Sequence, residues 1–351
     1  MVRHGRARGR GRASLAALGC ALALLTWSVL LPSTQAAFSA VTANPGNELS
    51  ADQLAPPSGL SAAQTCAAPP PIAHRGAATA TGTDTLALPV PAGTVAGDVL
   101  VAQVAHGFTS AGLGVPSGWT LVRQDHSGST VTSALFTRTA TADEPSATFS
   151  FPAGSGIEML GGVAAYSGVS ASAPVDASSG VTGFGRVASM PAVTTTTSDT
   201  MLLRLVTNDY ESYPAPTGTT QRWRFGTTGK GGLMAADEPF VGPGAASARS
   251  SSSPTGTSAY GIGQTLALRR AAGTPSAALS WTASPSAWAT GYRLERSRGG
   301  TVEAGSTVAP IGSTSTSDGP LLNGVTYSYL LWSRHGGWTS PAATATFTPS
   351  C

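Results

Sequence analysis

The chain has 351 residues, of which 41% are hydrophobic and only 11% charged, with 43 Gly and 25 Pro. That mixture is poor for long helices and too apolar for an unfolded chain, so short strands joined by tight turns are expected. The formal charge of +3 comes from the N-terminus: 20 basic side chains less Arg3, Arg6, Arg8, Arg10 and Arg12 leave 15 against 17 acids. No basic patch remains to grip phosphates, which excludes nucleic acid as a partner.

The Arg-rich stretch 1–12 precedes an apolar run from Ala13 to Leu31, then Pro32 and the small-residue segment 33–37. Positive flank, apolar middle and small-residue end are the parts of a secretory signal peptide, so residues 1–36 are read as a leader cleaved near Ala36 or Ala37. A retained membrane anchor is the alternative, because the run is almost long enough to span a bilayer. Membrane contact is expected only through this segment before cleavage. The product is then secreted or extracellular, either free or associated with the cell surface.

The following residues, Ala37-Phe38-Ser39 with Gly46-Asn47 and later Ala51 and Leu54, resemble the start of proteins exported with SipW-type signal peptides, such as the TasA and camelysin group. The resemblance implies export to a bacterial surface or biofilm matrix. Asp52 stands where that group usually has Gly. Residues 37–55 are read as an N-terminal linker, and Pro56 to Cys66 follows as a short strand candidate carrying Pro57, Leu60 and Ala62.

Residues 67–272 show an internal duplication at a spacing near one hundred. Gly97 to Gln103 aligns with Ser198 to Arg204, Pro116-Ser117-Gly118-Trp119-Thr120 with Pro216-Thr217-Gly218-Thr219-Thr220, and Asp143-Glu144-Pro145 with Asp237-Glu238-Pro239. Strand-like segments at 157–167 and 260–269 close the two halves. Each half reads as short strands separated by turns. Neither half could bury its apolar face alone, so the pair is expected to make one jelly-roll-like sandwich.

The C-terminal part carries Leu279-Ser280-Trp281, then Gly291-Tyr292-Arg293-Leu294, then Leu321-Leu322-Asn323-Gly324-Val325-Thr326-Tyr327. This pattern resembles a fibronectin type III domain, with Asn323 where Pro is common. The resemblance implies a strand-B Trp281, a corner Tyr327 whose hydroxyl bonds nearby backbone, and strands F and G at 326–333 and 342–348. Strand A is missing locally, and Pro56 to Cys66 supplies it. The expected fold is therefore all-β: a fibronectin type III-like domain of residues 56–66 plus 273–351, with the larger duplicated sandwich 67–272 inserted between its first and second strands. Strands A and G end at one pole of such a sandwich. With Cys20 lost in the leader and an oxidising destination, a Cys66–Cys351 disulfide is expected; two free thiols or intermolecular pairing are the alternatives.

No catalytic or cofactor-binding set emerges. His74, His106, His126 and His335 are scattered without metal-ligand spacing, and Ser167 lacks a strand–elbow–helix frame. Asp143/Glu144 and Asp237/Glu238 read as equivalent turn acids rather than a glycosidase pair, and Asp98 and Asp199 as Asx turns before strands. No calcium-loop array is present. Trp119, beside Leu121 and Val122, is read as core. Tyr210, Tyr213 and Trp223 are the candidate ligand contacts, with 208–213 as an exposed aromatic loop. The leading expectation is an exported, non-enzymatic surface or matrix protein without cofactor, contacting other surface proteins. The alternative is a carbohydrate-binding module or adhesin for cell-surface glycans, and a secreted hydrolase ranks third.

Overall fold

The computed structural model describes residues 52–303 and 307–351; the leader 1–36 and most of the linker 37–55 lie outside the described residues. The described elements are all strands. The first is β1 (Ser58–Ala67). A first repeat follows: β2 (Ala73–Thr83), β3 (Thr85–Leu88), β4 (Val99–Gly107), β5 (Thr120–Ser127), β6 (Val131–Thr139), β7 (Ala147–Ser150) and β8 (Glu158–Ser167). The second repeat holds β9 (Val175–Gly185), β10 (Val187–Met190), β11 (Val193–Thr195), β12 (Thr200–Asn208), β13 (Thr220–Thr227), β14 (Gly231–Phe240), β15 (Gly244–Ala246), β16 (Arg249–Ser252) and β17 (Ala259–Leu268). Then come β18 (Thr274–Thr282), β19 (Gly291–Arg298), β20 (Thr301–Val302), β21 (Thr307–Pro310), β22 (Ser315–Asp318), β23 (Tyr327–His335), β24 (Trp338–Thr339) and β25 (Ala343–Phe347).

β1 pairs antiparallel with β18, although β2 to β17 lie between them in the chain, and β18 pairs with β22. β19 takes β20, β21 and β23, and β23 takes β24 and β25. This is the A–B–E and C′–C–F–G arrangement of a fibronectin type III sandwich. Strand alternation explains its core: Ala277, Leu279 and Trp281 of β18 face inward, against Tyr292, Leu294, Tyr329 and Leu331. Trp281 meets Tyr292 edge-on at 5.5 Å, a favoured ring geometry. The Tyr327 hydroxyl accepts the Leu322 amide at 3.0 Å, and Gly324 at φ +72° completes the Asn-Gly turn. Leu54 is buried, and the Ala55 carbonyl accepts Ser284 and Ser333 hydroxyls, each at 2.6 Å. The folded unit thus begins inside the segment expected to be linker. Cys66 and Cys351 form a disulfide with Cα atoms 5.9 Å apart.

Each repeat builds one five-stranded sheet, in the orders β2-β8-β4-β6-β5 and β9-β17-β12-β14-β13. The matching order is the duplication expressed in three dimensions. The two sheets face each other across a shared core that includes Val101, Leu135 and Tyr166 from one and Leu203, Trp223 and Leu266 from the other. Their outer faces are covered by two-stranded ribbons: β3–β7 on the first, β10–β16 and β11–β15 on the second. A jelly roll shared by both repeats would have strands of each repeat in both large sheets. Instead each large sheet belongs to a single repeat, with one face on the shared core and the other beneath its ribbons. β4 and β12 are consequently buried on both sides and read as nearly unbroken apolar runs.

Strand pairing sets the true correspondence. Ala102 lies between Phe136 and Val163, and Arg204 lies between Ala236 and Thr265 at the same place in its sheet. The expected alignment of Asp98 with Asp199 is therefore one residue off: Asp199, at φ +54°, holds the left-handed position of Gly97, at φ +89°. Pro116 and Pro216 do correspond, their carbonyls accepting the Trp119 and Thr219 amides ahead of Gly118 and Gly218 at φ +81° and +84°. The acid pairs do not correspond. Asp143 and Glu144 fall in the loop after β6, whereas Asp237 and Glu238 are buried within β14.

Candidate functional site

The seam between the two sheets carries a chain of buried polar side chains. Trp223 Nε1 donates to Gln103 Oε1 at 3.2 Å, and Gln103 Nε2 donates to Thr207 Oγ1 at 3.0 Å. Thr207 Oγ1 donates to Ser133 Oγ at 2.8 Å, which donates to Gln264 Oε1 at 3.0 Å. Gln264 Nε2 reaches Asp125 Oδ2 at 2.7 Å, and Asp125 is paired with Arg123. Each member has a partner, so the network fixes register instead of destabilising the core.

Beyond this chain the seam opens into a cavity of about 570 Å³, within the range of small-molecule sites. Both repeats line it. The first contributes the ends of β2 and β4 and the start of β8, with Thr83, His106, Phe108 and Glu158; the second contributes Asp209 and Lys230. Lys230 Nζ lies 3.1 Å from Glu158 Oε1 across the mouth, and both side chains are well exposed. Phe108 is 48% exposed and packs edge-on against His126 at 5.6 Å. His106 donates from Nδ1 to the Gly107 carbonyl at 2.7 Å, which leaves Nε2 as an acceptor. Burial pushes the His106 pKa down, so its ring is neutral near pH 7. Burial raises Asp209, whose carboxylate accepts the Tyr260 amide at 2.9 Å.

The residues singled out from sequence fall elsewhere. Trp223 is 4% exposed, in the shared core beneath the polar seam, and Tyr213 is 1% exposed, packed with Met190, Val206 and Met234. Tyr210 is half-buried. The expected exposed loop 208–213 is folded inward because Asn208 Oδ1 accepts the amides of Tyr210 and Glu211, while Glu211 is buried and accepts the hydroxyls of Ser253 and Thr255. Two of the three candidate ligand contacts are thus core residues. Trp119 is core as expected, edge-on to Phe149 at 5.9 Å.

The acids are likewise structural. Asp237 binds Arg222 at 2.6 Å and accepts the Tyr166 hydroxyl at 2.7 Å, and Glu238 binds Arg204 and Arg249. They were expected in turns; strand burial with guanidinium partners is what they have. Asp98 accepts the Val95 amide, three residues behind it, at 3.0 Å and pairs with Arg75, while Asp199 pairs with Arg270, so neither makes the expected Asx turn through these bonds. Among the described residues no group of His, Cys, Asp or Glu could hold a metal ion. The cleft residues Thr83, Phe108, Glu158, Asp209 and Lys230 were missed from sequence. Lys230, the sole Lys of the chain, was the one visible signal.

No family model and no curated protein matches the chain. Among solved structures, a two-domain fibronectin type III segment of chicken tenascin matches at 16% identity, covering 46% of this chain and 99% of that one, with a TM-score of 0.20. The first three fibronectin domains of chicken CNTN1 match at 11% identity over 85% of this chain and 100% of that one, with a TM-score of 0.21. The fibronectin type III-like fold of the terminal strands is seen in the chain's own pairing, β1-β18-β22 in one sheet and β19 with β20, β21 and β23 in the other, and in the Tyr327 corner bond.

Proposed function

We propose that this is an exported, non-enzymatic structural protein of a bacterial surface or extracellular matrix, which presents and spaces β-sandwich modules and contacts other surface proteins. In this reading residues 56–66 with 273–351 are one fibronectin type III-like domain, residues 67–272 are a domain inserted after its first strand, and residues 1–36 are a cleaved leader. The observation that carries it is the Cys66–Cys351 bond. Disulfides persist in oxidising, extracytoplasmic compartments, and this one ties the first and last strands of the terminal domain. The potential catalytic acids, engaged by arginines within β14, support a structural interior.

The test is intact-mass analysis of the protein recovered from its host's cell-wall and medium fractions. The expected mass begins near Ala37 and is two hydrogens below the reduced value; a cytosolic, reduced, full-length chain overturns the proposal. Cys66→Ser is expected to lower unfolding free energy by up to about 5 kcal/mol, since the bond closes a very long loop, measured by urea titration.

A further inference from the structure

The repeats contact each other through two equivalent corners, and only one of them is open. At the closed corner the β5–β6 turn of the first repeat lies on the start of β17, so that a Cβ at Gly128 would stand 2.9 Å from the Tyr260 ring. Tyr260 pairs across strands with Phe184, their rings 4.9 Å apart, and this ring pair stands at the outer edge of that corner, Tyr260 37% and Phe184 66% exposed. At the open corner the β13–β14 turn of the second repeat brings Lys230 onto Glu158 at the start of β8. The cross-strand pair there is Glu158 with Thr83. Where one repeat has two rings, the other has a threonine and a carboxylate, and the cavity occupies the difference.

The lining states what would fit. Glu158 is offset by Lys230, and His106 donates one ring nitrogen to backbone while the other faces no acid in its hydrogen bonding. Asp209 is left as the one carboxylate of the lining without a basic partner, so no cationic surplus is present for phosphate or sulfate. Hydroxyls of Thr83, Thr130 and Thr227 and the carboxylates of Glu158 and Asp209 line the walls, with Phe108 exposed at the mouth. A complementary ligand carries many hydroxyls that both donate and accept, has an apolar C–H face to lie on a ring, and bears no net charge. We infer that this cleft is a binding site for a neutral oligosaccharide. It is separate from the glycan contacts expected at Tyr210, Tyr213 and Trp223, and it is independent of where the cell places the chain.

The experiment is titration calorimetry with saturation-transfer NMR on the purified full chain, using cellotetraose, maltotetraose and tetra-N-acetylchitotetraose as probes. At least one is expected to bind, with tenfold or greater weakening in Phe108→Ala. Thr83→Phe with Glu158→Tyr, which copies the ring pair of the closed corner, is expected to abolish binding, while Tyr210→Ala leaves it unchanged. Failure of all three probes overturns the inference, as does binding that survives the ring-pair variant with unaltered melting temperature. Should that variant not fold, an unchanged affinity in Phe108→Ala is the overturning result. A mature, oxidised chain that binds no sugar would leave the structural proposal standing and remove only this one.

Discussion

The two repeats share one strand order and solve the problem of their outer faces differently. In the first, the layer under the β3–β7 ribbon is a continuous apolar core of Leu86, Leu88, Leu100, Phe136 and Phe149, with Ala102 at its centre. In the second, Arg204 takes the place of Ala102 and the outer core is split into two clusters, one around Met190 and Tyr213 and one around Val193 and Leu202. The guanidinium is 1% exposed and fully occupied: Nε donates to Glu238 at 2.9 Å, Nη1 to Thr265 Oγ1 at 3.1 Å, and Nη2 to the Ser247 carbonyl at 2.9 Å. Thr265 in turn donates to the Pro191 carbonyl at 2.7 Å. Pro191 and Ser247 lie at the breaks that divide the covering ribbon into β10–β16 and β11–β15. One buried cation thus accounts for both the split core and the split ribbon, because the carbonyls it needs are freed where strand pairing stops.

The comparison can be broken most severely from the first repeat. Ala102→Arg would place an unpartnered charge among leucines and phenylalanines, and loss of cooperative folding, a destabilisation above about 5 kcal/mol, is expected in urea titration monitored by tryptophan fluorescence. Arg204→Ala attacks the second repeat and strands Glu238 with Arg249 alone; a loss of about 3–5 kcal/mol is expected, and Arg204→Leu with Glu238→Leu should recover most of it. If the single and double variants were equally unstable, the cation would be filling space rather than satisfying polar groups.

Gly162→Ala probes the seam the repeats have in common. A Cβ there would lie 2.4 Å from Trp223 Cε2, and about 1–3 kcal/mol of overpacking cost is expected by the same titration. The smallest effect is a pH dependence that separates the repeats. Burial lowers His74 and His106, both in the first repeat. Their unfolded forms take up protons near pH 6.5 while the folded forms resist, so stability falls as pH drops below about 6.5. Burial alone would raise Glu238, but hydrogen bonds from Arg249 and Arg204 outweigh it and hold the carboxyl below its ordinary value. Its contribution is present above about pH 4.5 and is lost as pH falls further. Calorimetric melting from pH 8 to pH 3 should show both declines, and His74→Asn with His106→Asn should remove the upper one.

Much of the architecture was legible in the residues. Trp281, Tyr292 and Tyr327 marked the fibronectin type III pattern because their spacing reflects strand alternation and a specific corner bond, and the distant Pro56-to-Cys66 strand followed from the absence of a nearer one. The duplication was visible in the proline–glycine turns, where backbone conformation restricts residue choice. The acids misled because Asp-Glu-Pro is the same string in a loop and within a strand; only pairing distinguishes Asp143 from Asp237. The cleft was illegible for a similar reason. It is made by what is small at Thr83 and Glu158 relative to Phe184 and Tyr260, and that contrast appears only once the registers of two sheets are known.

The sulfur bridge also defines a load path. Tension entering through the backbone ahead of Cys66 and leaving at Cys351 crosses from one residue to the other through the covalent bond, without stretching the backbone between them. Both repeats, their seam and its cleft would ride beside that line as an unloaded passenger, keeping their shape under pulling forces that would unravel a module strung in series.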